Sequence, residues 1–288
     1  MNEKEFVEEV KNSPEYYEEF EQQYECFKKY QQKAAQTLRI LHEICEKNKI
    51  NYQIAFGSLL GAIRDGGQIP WDYDIDILMP ASERKKFIVA LRKDLSEEYY
   101  FYSIEEYKEC EHVILRVAPK GYDSHYLHVD VFFMAGLPND DREAQKFKKQ
   151  MVNVTLLYKA KKYNFKHRES DSKREVCKMF VYKIKGLCFS AENIWNKYKK
   201  LSEKYTIEDS LKCCCADRFA DWYDLPSNML FDTILYKTEI GEFRIPRNYK
   251  EVLSIEYGDY MNVPPLKNRM NELKHHYEFL VKSSLDNK

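Results

Sequence analysis

GSLLGAIRDGGQIPWDYDIDILM, residues 57–79, packs a glycine turn, a strand signal and an acidic triplet into one segment. Its last third alternates: Asp72, Asp74 and Asp76 take turns with Tyr73, Ile75 and Ile77. Period two is the signature of a strand, and it predicts three carboxylates on one face and apolar side chains on the other. The preceding YQIAF (52–56) is rich in β-branched and aromatic residues and reads as a short buried strand. Gly57-Ser58 follows directly, so a strand turns tightly into a short helix that Gly66-Gly67 then breaks.

Working outward, residues 3–49 carry charges and apolars at helical spacing, with Leu38, Leu41, Ile44 and Cys45 in one stripe. Residues 82–95 are expected as a helix with Ser82 as N-cap. YYFYSI, HVILRVA and LHVDVFFM, near 99–104, 112–118 and 127–134, read as three more strands. From 139 to 205 strand signals vanish and two or three Lys-rich helices are expected. Short strands return near 230–245, then a short helix ends at Gly258, and a last helix starts at Leu266. The expectation is an α/β chain with a mixed sheet and added helices at the N-terminus, middle and C-terminus. Its divisions are a helical extension (1–35), a catalytic domain (36–270, with 139–228 mainly helical) and a C-terminal helix and tail (271–288).

Three carboxylates on one face repel one another, and a protein keeps them together for a cation. Hard divalent ions take carboxylate oxygens, and Mg²⁺ (or Mn²⁺) takes one or two of them plus substrate phosphates. LHVDVFF places Asp130 mid-strand among apolars, where it needs a partner. On a strand adjacent to Asp74 and Asp76 it would complete a three-carboxylate metal site of the kind that serves phosphoryl displacement. Gly57 and Ser58, at the start of the short helix, can contact a phosphate through backbone N–H groups and the hydroxyl. Arg64, two turns on, can add a bidentate contact. Each has a plainer reading. Arg64 can pair with Asp65, Trp71 can be core rather than a substrate wall, and Gly57-Ser58 can be only a turn.

Strand, Gly-Ser, helix, Asp-x-Asp strand and a later Asp-bearing strand together resemble the nucleotidyltransferase superfamily, with its polymerase β-like fold. The gap from Ser58 to Asp74 is longer than usual there, and a narrower family accounts for it. GSLLGAIRDGGQIPWDYDIDI resembles the signature of the LicD family, which contains bacterial phosphocholine transferases and has the ribitol-phosphate transferases fukutin and fukutin-related protein as relatives. HVDVFF and FRIPRNYKEVLSIEYGDYMNVPP (243–265) agree with it, so the resemblance runs from about 36 to 270. It implies transfer of an alcohol phosphate from a CDP-linked donor, CDP-choline before CDP-ribitol or CDP-glycerol, to a sugar hydroxyl with release of CMP. The acceptor implied is a sugar of teichoic acid, lipopolysaccharide or capsule, including lipid-linked forms. By motif position Asp74 and Asp76 match the metal pair, Asp130 the third carboxylate (metal ligand or general base), and Asp72 the first Asp of the triplet. A transferase of NMP from an NTP and a non-catalytic module of the same fold are the competing classes.

Composition narrows the field. Of 288 residues 44% are apolar and 15% aromatic, which excludes a disordered chain. Lys plus Arg is 46 against 47 Asp plus Glu, so the net charge of -1 offers nucleic acid no global attraction. No run of about 18 apolar residues predicts a membrane span. The acidic first residues lack the apolar core of a signal peptide, so a cytoplasmic chain is expected, with peripheral contact at the inner membrane face where the acceptor is lipid-borne. Eight cysteines lack C-x-x-C spacing and read as thiols; the Cys213–Cys215 run has no reading. His125 and His128 take the default reading of ordinary histidines beside a strand, and the Lys-rich KAKKYNFKHR (159–168) that of a solvated face or a contact for an anionic acceptor.

Overall fold

In the computed structural model, which describes residues 1–165 and 172–286, the Asp-rich segment enters the sheet at Ile75. β1 (Gln53–Ile54) pairs antiparallel with β2 (Ile75–Pro80), and β2 runs parallel to β5 (Val129–Gly136) over six residue pairs. β5 also pairs antiparallel with β4 (Leu115–Pro119), and β4 with β3 (Tyr99–Tyr102). The order β1-β2-β5-β4-β3 is a mixed sheet, and the chain is α/β as expected. β2 and β5 lie at its centre, where Ile75, Ile77, Val129 and Val131 are fully buried. This is why their apolar content is nearly continuous: both faces of a central strand are covered. In register, Asp76 faces Asp130.

The far end of β5 pairs with β6 (Lys212–Cys215), which pairs with β7 (Leu225–Pro226). The cysteine run is therefore a buried strand between β5 and β7, a use that its composition did not announce. A second sheet is the hairpin β8 (Thr233–Thr238) and β9 (Gly241–Pro246).

The N-terminal helical stretch is two helices. α1 (Glu3–Lys11) opens with a capping box between Asn2 and Glu5, and α2 (Pro14–Asn48) starts on a proline. Proline cannot continue a helix but fits its first turn, so the break falls at Asn12–Ser13. α2 runs unbroken through residue 35, and its Phe27, Ala34, Leu38 and Leu41 lie in the main core. The Gln31 amide, buried on α2, donates to the carbonyls of Ile69 (3.0 Å) and Asp72 (2.5 Å) and so holds the loop that leads into β2.

α3 (Phe56–Leu60) follows β1, and α4 (Arg84–Asp94) follows β2 after a 3-10 turn at Ala81–Glu83. Ser82 lies inside that turn and makes no capping hydrogen bond, which corrects its expected role. α5 (Asp141–Lys162), α6 (Lys173–Lys185) and α7 (Ala191–Ser202) are capped by the side chains of Asp140, Ser172 and Ser190, each accepting a backbone N–H three residues on. α8 (Tyr249–Tyr257) and α9 (Leu266–Asp286) close the chain. Among the described residues no helix is long and apolar enough to cross a membrane. Of KAKKYNFKHR, residues 166–168 lie outside the described residues.

Candidate active site

The site is built where β1 ends and β2 begins. The Ala55 N–H donates to the Asp76 carbonyl (3.0 Å), and the next residue, Phe56, takes a left-handed φ of 48°. A bulky residue there is strained, and such strain clusters at functional turns. α3 then passes into a π-helical turn at Gly61–Asp65. Gly61 is required sterically: a Cβ would lie 2.7 Å from the Gly67 carbonyl oxygen and 2.9 Å from the Ile69 nitrogen. At Gly57 a Cβ would stand 3.2 Å from Asp72 Oδ2, so its bare backbone keeps that carboxylate open to the cleft.

Only Asp76 lies within a strand; Asp72 and Asp74 precede it, in the turn and the extended segment leading to β2. The alternation that promised one strand face is thus realised partly by a turn. All three still line one cleft of about 450 Å³, together with Gly57, Arg64 and Trp71. The opposite wall comes from the end of α8 and beyond: Tyr257, Asp259, Tyr260, Asn262, Pro264 and Glu272.

The charges are divided unevenly. Burial, then Asp130, Asp74 and Asp72, push the Asp76 carboxyl well above the usual carboxylate range. Burial and Asp74 push Asp72 up to about 8. Burial also raises Asp74, with His128 and His276 pulling the other way. Asp130 goes in the opposite direction. Burial alone would raise it, but the charges of His128 and Arg116 outweigh that and hold its carboxyl well below the usual range. Arg116 Nε lies 3.0 Å and His128 Nε2 3.3 Å from Asp130, both on Oδ1.

The other expected contacts are placed as follows. Ser58 donates its N–H to the Ala55 carbonyl (2.9 Å), and its hydroxyl accepts the Asp76 N–H (2.9 Å), so it ties the helix start to the strand start. Arg64 forks onto Asp65 at 3.0 and 2.8 Å, and Asp65 also takes the Met1 ammonium at 3.2 Å. Trp71 is buried, with Phe6 at 5.2 Å and the guanidinium of Arg269 at 5.3 Å, and it forms core and cleft wall at once. Tyr73 packs its ring on Phe27 and His276, while its hydroxyl reaches Asp74.

Four further residues belong to the site. Arg116 had a signal, a lone cation inside the apolar HVILRVA. His128, which carried only a default reading, is the second partner on Asp130 Oδ1. Glu256 on α8 has both carboxylate oxygens buried with no hydrogen-bond partner among the described residues, and burial pushes it up to about 8. His276 on α9 bonds the Trp71 carbonyl at 3.2 Å and lies 3.8 Å from Asp72. Nothing in the sequence couples these last two to residues some 200 positions away.

Among the described residues no three Asp, Glu, His or Cys side chains converge tightly enough to form a complete metal cage. Clustered carboxylates raised by burial and by one another are nonetheless the donor chemistry that a hard cation relieves. Mg²⁺ needs only one or two of them, with water and substrate phosphate completing its shell.

These features define a class: a mixed α/β protein that gathers carboxylates at the heads of two parallel strands, beside a glycine-bearing turn. Residues 49–172 match the family model LicD/FKTN/FKRP, nucleotidyltransferase domain. The chain is also 27% identical over 247 residues to the lipopolysaccharide cholinephosphotransferase LicD of Haemophilus influenzae, covering 79% of this chain and 88% of that protein. Uncharacterized proteins of Rickettsia prowazekii and Rickettsia typhi are each 50% identical over 42 residues, 15% of this chain. Over residues 49–172, and more loosely over most of its length, the chain is similar to the LicD family.

Proposed function

We propose that this protein is a metal-dependent phosphotransferase that moves phosphocholine from CDP-choline to a sugar hydroxyl of a cell-surface glycan, releasing CMP, on a nucleotidyltransferase-type fold. The observation that carries the reading is the cluster of Asp72, Asp74 and Asp76 on one open cleft, where burial and mutual repulsion oppose their ionisation. Similarity over 88% of the length of a cholinephosphotransferase supports phosphocholine as the group moved. That relative acts on lipopolysaccharide; teichoic acid and capsule sugars are acceptors of the same chemistry. A lipid-linked acceptor would bring the reaction to the inner face of the membrane.

Asp74 and Asp76 are the residues to hold Mg²⁺ or Mn²⁺, and Asp130 is the third carboxylate. The ion, when bound, would neutralise the donor's diphosphate oxygens. Arg116 and His128 keep Asp130 ionised and fixed in direction. In the transfer the acceptor oxygen bonds to the choline-linked phosphorus while the bond from that phosphorus to the CMP oxygen breaks. The acceptor proton passes to a carboxylate of the cleft, and CMP leaves with the bonding electrons. Such a reaction asks for positioning and charge neutralisation more than for covalent chemistry. Gly57 and Arg64 line the cleft beside Trp71, and with Ser58 just behind them they are the residues assigned to the donor.

An aromatic series favours choline over ribitol or glycerol. Phe56, Trp71, Tyr257 and Tyr260 all line the cleft. A quaternary ammonium gains cation–π attraction on aromatic faces, which an uncharged polyol lacks.

The test is calorimetric titration with CDP-choline, CDP-ribitol, CDP-glycerol and CTP, each with and without Mg²⁺. Metal-dependent binding of CDP-choline, lost in Asp74→Ala/Asp76→Ala, is expected. Preference for CDP-ribitol or CDP-glycerol would replace the donor, and tight binding of CTP alone would move the reading to NMP transfer.

A further inference from the structure

We propose that α6 and the turn after it form a surface that binds an anionic lipid bilayer. This does not depend on the transfer reaction, and its test is read without turnover.

α6 has two apolar faces where a surface helix needs one. Met179 and Tyr182 pack inward on α5, where Met179 joins Leu156, Ala160 and Tyr163 in a small satellite core that Val152 also covers. Cys177, Phe180, Val181 and Ile184 recur at intervals of three and four and form a second stripe, about 100° per residue around the helix. That stripe faces outward: Phe180 is 58% and Ile184 53% exposed. The chain after Gly186 extends it with Leu187 and Phe189, 69% and 52% exposed. Five large apolar side chains within ten residues are thus turned to solvent, a concentration that a soluble surface avoids.

The charge around the stripe identifies the occupant. Residues 172–190 carry Lys173, Arg174, Lys178, Lys183 and Lys185 against the single carboxylate of Glu175, a local charge of +4 in a chain of net charge -1. Glu175 is turned inward and paired with Lys159 at 3.0 Å. By helical angle Arg174, Lys178 and Lys185 stand along one margin of the outward stripe. An apolar ridge with a cationic margin is the pattern of a helix lying in the interface of an anionic membrane: the ridge enters the acyl boundary and the cations meet the headgroups. A second copy would set the same cations against one another, whereas a layer of anionic headgroups matches both the apolar ridge and its cationic margin.

The test is co-sedimentation of the full chain with vesicles of phosphatidylcholine alone and of phosphatidylcholine mixed with phosphatidylglycerol. Binding to the mixed vesicles is expected, falling as salt rises. Phe180→Glu/Ile184→Glu/Leu187→Glu should weaken it by at least about tenfold, and Lys178→Glu/Lys185→Glu should remove the preference for anionic lipid. Both variants should melt with the native chain, because the altered side chains are exposed. A polarity-sensitive dye on the exposed Cys177 and Cys188 should shift to the blue on binding. No binding at low salt, or equal binding by the native chain and the triple variant, would overturn the proposal. So would a concentration-dependent dimer, seen by ultracentrifugation and abolished by the triple variant, since a second copy would then cover the stripe.

Discussion

Replacing Asp76 by asparagine should stabilise the metal-free protein. Asp76 and Asp130 are partners in the parallel β2–β5 register, so their side chains leave the sheet on the same side. Strands are about 5 Å apart, and two unit charges at that spacing repel by about 3 kcal/mol at an effective dielectric of 20. Arg116 and His128 offset part of the charge on Asp130, which leaves about 1–2 kcal/mol for Asp76→Asn to relieve. The sign follows from linkage. A carboxyl that is harder to ionise in the folded chain than in the unfolded one makes stability fall as pH rises above the ordinary carboxylate range, and the direction of the Asp76 shift is upward. The gain from Asp76→Asn should therefore be largest near pH 8 and vanish toward pH 4. In EDTA at pH 8 the melting temperature should rise by about 2–6 °C. Saturating Mg²⁺ should reverse the order, since a ligand at about 100 times its Kd adds about 2.7 kcal/mol to the native protein alone. Differential scanning calorimetry of both proteins, with EDTA and with Mg²⁺ across that pH range, is the assay. A lower melting temperature for Asp76→Asn in EDTA at every pH would refute the reasoning, because the carboxylate would then be a net stabilising partner.

Gly61→Ala should cost about 2 kcal/mol or more in chemical denaturation, since its Cβ would press on backbone atoms of Gly67 and Ile69 that cannot yield as side chains do. Glu105→Gln should cost about 3 kcal/mol at pH 7, because it leaves the buried Arg84 without its bidentate partner at 2.9 and 3.0 Å. Burial raises the Glu105 carboxyl but Arg84 lowers it further, so its contribution is full above the ordinary carboxylate range and is lost as pH falls below it; urea midpoints for Glu105→Gln should show a flatter acid limb. Arg116→Met should move the Asp130 carboxyl upward toward the ordinary range, which NMR titration of that carboxyl would detect, and should lower turnover far more than Asp65→Asn, whose partners lie on Arg64 and the N-terminus.

The centre of the fold was legible because it rests on local signals. β-branched and aromatic runs mark β1, β2, β4 and β5, and the alternation at 72–77 marked the acidic site. What it could not convey is where the strand begins: Asp72 and Asp74 keep the period of a strand while a turn held by Gln31 carries them. Ser82 has the right residue type for a cap, but the 3-10 turn around it moves the helix start to Arg84. Cys213–Cys215 are read as thiols until their pairing with β5 makes them a strand, because non-local pairing leaves no periodic trace in four residues. Glu256 and His276 approach Asp76 and Asp72 from α8 and α9, and only tertiary packing brings them there.

The most direct test of the account is identification of the products when the purified protein meets CDP-choline, Mg²⁺ and lipopolysaccharide or a matching soluble sugar. The account predicts CMP and phosphocholine-bearing acceptor in equal amounts, both absent with Asp74→Ala/Asp76→Ala. Pyrophosphate released from CTP by the same protein, with no phosphocholine on any acceptor, would contradict it.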